Sequence, residues 1–122
     1  MLRAGEGARI EGAMRNEEAV ELVIDTLREL FPVKRIWLFG SRTDSEAAPE
    51  SDYDFLVLIE SSKLSFHRRI FEALKKLRGT GIAADLFIYT QDEFNPEDPL
   101  IANALRKGKL VYESEEVRKA LA

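Results

Sequence analysis

One stretch constrains the fold of this chain more than any other. Ile36-Trp37-Leu38-Phe39 is an apolar run that ends on Gly40-Ser41. Ten residues later, Asp52-Tyr53-Asp54 opens a second run, Phe55-Leu56-Val57-Leu58-Ile59. Short apolar runs bounded by turn residues read as buried strands. The second run is unbroken, so both of its faces should be covered, which puts it in the middle of a sheet. A glycine-serine turn and a carboxylate pair therefore each stand at the mouth of a buried strand.

The rest of the chain supplies helices around these strands. Asn16 reads as an N-cap, with Glu17 and Glu18 in the first turn. Ala19, Val20, Val23, Ile24, Leu27, Leu30 and Phe31 recur at helical spacing until Pro32 stops them. Val33 to Phe39 is the first strand, with Trp37 more simply read as core than as a stacking surface for a ligand. Asp52 to Glu60 is the second strand. Ser65 caps a helix to about Arg78, with Phe66, Ile70, Leu74 and Leu77 assigned to its inner face and Arg68, Arg69, Lys75, Lys76 and Arg78 to its outer face. Gly79-Thr80-Gly81 ends that helix. Ile82 to Thr90 is a third strand, which contains Asp85. Pro99 to Lys107 is a helix stopped by Gly108, Lys109 to Glu113 a short fourth strand, and Ser114 a cap for a last helix to Ala122. The expected fold is α/β (α+β), a mixed sheet of about four strands with helices packed against it. Residues 1–15 contain three glycines and little periodicity. They read as a mobile arm before a single domain over 16–122.

Chain direction then brings three carboxylates together. If the end of strand one and the start of strand two face one pocket, the two strands are antiparallel. The helix at 65–78 carries the chain back, so strand three starts near the pocket and runs parallel to strand two. Asp85 is thereby expected beside Asp52 and Asp54. Those two lie two residues apart, on one face and roughly 6–7 Å apart along the strand. Three carboxylates at the edge of an apolar core repel one another and lose hydration, and a divalent cation is the economical compensation. Asp52, Asp54 and Asp85 are thus candidate metal ligands and catalytic residues. Gly40 and Ser41 can form a nest for phosphates, and Arg42 can add charge there. Phosphates on one side and metals on the other describe a nucleoside triphosphate bound through Mg²⁺. With two ions, the chemistry would be in-line attack at phosphorus.

Composition narrows the partners. The chain of 122 residues has no cysteine and one histidine, His67. That removes disulfides, thiol catalysis and multi-histidine or cysteine-ligated metals, and leaves hard, oxygen-ligated ions such as Mg²⁺ or Mn²⁺. The lack of cysteine and of any apolar run near the ~20 residues that span a bilayer fits a cytoplasmic protein with no membrane partner. No secretory leader is expected at Met1 to Arg15. A net charge of −4 argues against nucleic acid, although the basic face of the helix at 65–78 leaves such a partner open.

These residues resemble the polymerase-β-type nucleotidyltransferase superfamily, whose signature is Gly-Ser, ten residues, then Asp-X-Asp. Here it is carried by Gly40-Ser41, residues 42–51 and Asp52-Tyr53-Asp54, with Asp85 matching the third family carboxylate. The short chain looks most like the minimal nucleotidyltransferases (MNT), described as antitoxins paired with HEPN-domain toxins. The resemblance covers about residues 17–113, and the stretch from Gly108 to Glu113 looks like the end of such domains. It implies a nucleotidyltransferase fold. It also implies that Asp52 and Asp54 bind both Mg²⁺ ions, that Asp85 binds the catalytic ion and helps deprotonate the acceptor, and that Gly40 and Ser41 hold the triphosphate of ATP. Many relatives have a glycine where this chain has Ser45, a difference that bears on loop geometry and nucleotide affinity.

Three functions are consistent with this reading. The first is a transferase that moves a nucleoside monophosphate, AMP from ATP, to an acceptor hydroxyl. The shortness of the chain favours an acceptor on a macromolecule, such as a tyrosine of a partner toxin. The second is an antitoxin that neutralises a HEPN toxin by contact alone. The third is a nucleotidyltransferase for small molecules or RNA, against which size and acidity weigh.

Overall fold

The computed structural model describes residues 16–40 and 53–121, in the order α1 (Asn16–Leu30), β1 (Val33–Phe39), β2 (Tyr53–Ile59), α2 (Phe66–Leu77), β3 (Ala84–Thr90), α3 (Pro99–Lys107), β4 (Lys109–Glu113) and α4 (Glu115–Leu121). The expected arm at residues 1–15, and Ser41, Arg42, Ser45 and Asp52, lie outside the described residues. The four strands form one mixed sheet in the order β3-β2-β1-β4. β1 and β2 are antiparallel, whereas β2 and β3 are parallel and joined by α2. β4 folds back antiparallel on the free side of β1. The unbroken apolar run of β2 sits where such a run is needed, between β1 and β3, with Phe55, Leu56, Val57 and Ile59 fully buried.

Strand alternation divides the sheet into two unequal faces. Ile36 and Leu38 of β1, Phe55, Val57 and Ile59 of β2, and Leu86 and Ile88 of β3 point to one side. There they pack with Val23 and Leu27 of α1 and Ala73 and Leu77 of α2 in the main core. The other side carries Trp37, Phe39, Leu56, Phe87 and Tyr89, against which α3 sets Ile101 and Ala104. Trp37 stacks on Phe94 here, with ring centroids 5.9 Å apart.

Most element ends follow local chemistry. Ser65 caps α2 by accepting the Arg68 amide, and Asp98 caps α3 by accepting the Leu100 amide. Three expectations are corrected. Asn16 is the first residue of α1 rather than its cap. β3 starts at Ala84, not Ile82, because the Thr80 hydroxyl takes the Ile82 amide and holds that residue in the turn. On α2, Arg69 belongs to the inside and Leu74 to the outside: Arg69 is 3% exposed and Leu74 40%. The inner line of the helix runs through Arg69, Ala73 and Leu77, four residues apart.

Arg69 can be buried because its donors are satisfied. It donates to the Leu64 carbonyl at 3.0 Å, the Ile88 carbonyl at 2.8 Å and both carboxylate oxygens of Glu93 at 2.7 and 2.9 Å. Glu93 also accepts the Thr90 amide. These bonds tie α2 to the C-terminal end of β3 and occupy a carbonyl of a strand that ends the sheet.

Candidate active site

β1 delivers the chain to Gly40 at the end of the sheet where β2 and β3 begin. Phe39 pairs with Asp54 across the antiparallel ladder, so Gly40 passes directly over the start of β2. Its backbone has φ +81, in the left-handed region. A Cβ at Gly40 would overlap Oδ2 of Asp54 and lie 3.0 Å from its Cγ. The glycine is thus required twice, for its own conformation and because the Asp54 carboxylate fills the space a side chain would occupy.

The parallel pairing of β2 and β3 places Asp54 opposite Asp85. Register partners in a sheet point to the same face, and neighbouring strands lie ~4.8 Å apart. The Tyr53 amide donates to the Ala83 carbonyl at 2.9 Å, which fixes this register from its first residue. Asp54 is half-buried and Asp85 exposed. Alternation puts both on the α3 side of the sheet, with Leu56 and Phe87 next along their strands. Two carboxylates side by side, one against apolar surface and one open to water, form a hard-oxygen edge. Such an edge suits an ion that keeps part of its water shell, as Mg²⁺ does. Among the described residues no group of three potential metal ligands assembles, so the described part of the site is this pair and the Gly40 turn.

The sequence reading placed Asp85 by chain direction alone, and the register sets it opposite Asp54. It assigned no role to Glu93 or to Tyr89. The Arg69 guanidinium holds the Glu93 carboxyl down at about 2, helped by the Thr90 amide and opposed by partial burial. Burial raises the Tyr89 phenol, with Asp98 and Glu93 adding to the shift. Both groups lie toward the C-terminal end of β3, away from the Asp54–Asp85 pair. Alternation from Asp85 could have flagged Phe87 as the side chain next to the carboxylates.

The fold is of the nucleotidyltransferase class. By sequence the chain matches the family described as polymerase beta, nucleotidyltransferase over residues 21–117. The chain belongs to this family. No curated protein matches it in sequence. Among solved structures, it is similar to a toxin–antitoxin crystal structure with AMP-PNP, at 20% identity and TM-score 0.60, covering 87% of this chain and 80% of that one. It is also similar to a chain of the tri-AMPylated HEPN toxin of Shewanella oneidensis in complex with its MNT antitoxin, at 18% identity and TM-score 0.57, covering 87% and 79%. The mixed four-stranded sheet with its helices is the fold these structures share. Among the described residues, no helix is long and apolar enough to cross a membrane.

Proposed function

We propose that this chain is a divalent-metal-dependent nucleotidyltransferase. It transfers AMP from ATP to a hydroxyl of a partner toxin protein and so acts as an antitoxin. The observation that carries the reading is the Asp54–Asp85 register pair, with the Gly40 turn packed against Asp54. In the transfer, the acceptor oxygen forms a bond to the α-phosphorus and the bond from that phosphorus to the β-phosphate oxygen breaks. Pyrophosphate leaves, and the acceptor proton passes to the side of Asp85, whose carboxylate is open to solvent. Asp54 and Asp85, with Asp52, would hold Mg²⁺, which when bound offsets charge on the triphosphate and lowers the pKa of the acceptor hydroxyl. Gly40, Ser41 and Arg42 would hold the phosphates, the backbone amides supplying the donors. The likeness to toxin–antitoxin structures, one with AMP-PNP and one with an AMPylated toxin, supports ATP as the donor and a HEPN-type toxin as the acceptor.

Labelled ATP, Mg²⁺ and the protein encoded beside this one provide the test. Label from the α-phosphate should appear on the partner, and the Asp52→Asn/Asp54→Asn double variant should abolish it. Undiminished transfer by that variant would refute the reading. A second reading, neutralisation by contact alone, is favoured by the exposed Phe71 and Leu74 on α2. It predicts that the same double variant still protects cells from the toxin.

A further inference from the structure

α2 turns two large apolar side chains to solvent. Phe71 is 49% exposed and Leu74 40%. Three residues apart, they are neighbours on one side of the helix. With Lys75, Arg78, Gly81 and Ile82 they line a groove of about 390 Å³ between the end of α2 and the turn into β3. Two cations stand over the Phe71 ring, Arg68 at 5.2 Å and Lys75 at 6.0 Å from its centroid. Three of the α2 cations are in ion pairs: Arg69 with Glu93, Lys76 with Glu29 and Arg68 with Glu72. Among the described residues, neither Lys75 nor Arg78 forms an ion pair. The groove is thus apolar at its wall and positively charged beside it, on a chain whose net charge is −4.

We infer that this groove docks an acidic amphipathic helix of a partner protein. Apolar side chains three or four residues apart on that helix enter between Phe71, Leu74 and Ile82, and its flanking Asp or Glu residues meet Lys75 and Arg78. The volume suits a few side chains, and this mode of recognition is that of a helix laid in a groove. Extended polyanions fit less well. α1 lies against α2 and exposes Glu17, Glu21, Asp25 and Glu29. A membrane surface or an RNA that spans both helices would meet those carboxylates as well as the groove cations. A second copy of this chain fits poorly too. The acidic helix it offers, α1, has no large exposed apolar side chain, since those of the described residues are Leu64, Phe71, Leu74 and Leu110.

The location gives the groove a use. Ile82 precedes Asp85 by three residues, at most about 10 Å of chain. A partner held there stands at the same end of the sheet as the carboxylate pair, on the α2 face rather than the α3 face. That use rests on the transferase reading, whereas the docking does not.

The test presents the full chain, without nucleotide or metal, to a displayed library of helical peptides. Selected peptides should share apolar residues at helical spacing flanked by Asp and Glu. Phe71→Ser should weaken the best of them by about 30-fold, the size of a hot-spot loss. Lys75→Glu with Arg78→Glu should do likewise, and replacing the peptide acids by Lys should restore binding to that charge-reversed variant. Asp54→Asn should leave binding intact, so failure of transfer and failure of docking are read separately. Phe71, Lys75 and Arg78 are exposed, and unchanged circular dichroism and thermal midpoints certify the variants as folded. Selection of basic or non-helical peptides, or binding indifferent to the groove variants, would overturn the inference. So would a dimer in solution that Leu74→Glu dissolves, or competition for the selected peptide by phosphatidylserine vesicles or single-stranded RNA.

Discussion

Gly40→Ala separates the two demands placed on that glycine. Gly40 and Gly79 both have positive φ, +81 and +92, but a Cβ at Gly79 meets nothing within 4 Å, whereas at Gly40 it overlaps Oδ2 of Asp54. For either residue, an alanine in the left-handed region costs about 1–2 kcal/mol, and the stiffer unfolded chain offsets about 0.4–1 of that. The net is about 1 kcal/mol, or roughly 4 °C in Tm for a chain of this length. Gly79→Ala should show that loss and nothing more in Tm and in Mn²⁺ affinity. Gly40→Ala should show a similar loss of Tm, because the atom in the way is the end of a side chain that can rotate. The rotation moves the Asp54 carboxylate off the position it holds opposite Asp85, however. Misplacing a reacting or ligating group by about 1 Å costs on the order of 100-fold in rate. The expected outcome is therefore a folded protein with weakened Mn²⁺ binding and about 100-fold slower AMP transfer. Calorimetry gives the first number, Mn²⁺ titration the second and the labelled-ATP assay the third. If Gly40→Ala binds Mn²⁺ and transfers AMP as the wild type does, the carboxylate does not need the space the glycine leaves, and the site is not built as argued.

The Arg69–Glu93 clamp has a pH signature. Glu93 ionises at about 2 in the fold against 4.5 for an unperturbed glutamate. A depressed carboxylate stabilises the fold fully above its unfolded value and loses that contribution as pH falls from about 4.5 toward 2. The Glu93 side chain is 41% exposed, so solvent screening holds the contribution to about 1 kcal/mol. The Tm gap between wild type and Glu93→Gln should close across that window, and a gap that persists unchanged into acid would count against the clamp. Arg69→Met should cost more, about 2–4 kcal/mol in urea unfolding. It strips donors from the buried Ile88 carbonyl and from the Leu64 carbonyl and leaves Glu93 without its cation.

How much could be read from sequence depended on whether the signal was local. The apolar runs of β1 and β2 announce themselves, because a strand covered on both faces has no polar alternation to hide it. The polarity of β2 and β3 followed from one premise, a shared pocket, and that placed Asp85 near Asp54 without any contact being known. Arg69 was assigned outward because arginine is seldom buried. Its carboxylate partner lies 24 residues downstream, and no periodicity links them. Leu74 was assigned inward because it is apolar and four residues from Ile70, although the inner line passes through Ala73. Small residues facing a sheet carry little weight in a hydrophobic pattern, yet they are what lets a helix approach closely. The position of β4 was equally out of reach: five residues with mixed character do not say which edge they will pair with.

The two faces of the sheet divide stability from chemistry. α1 and α2 cover one face with a continuous core, and β2 contributes Phe55, Val57 and Ile59 to it at no exposure. That core holds the register of β2 against β3, because a slip of one residue would turn every one of these side chains to the wrong side. The same register fixes Asp54 opposite Asp85 on the other face. Packing on the far side of the same strands thus opposes the repulsion between the two carboxylates. A site supported from behind can leave its front open. Among the described residues α3 packs on β1, and on the proposed reading an acceptor enters beside it.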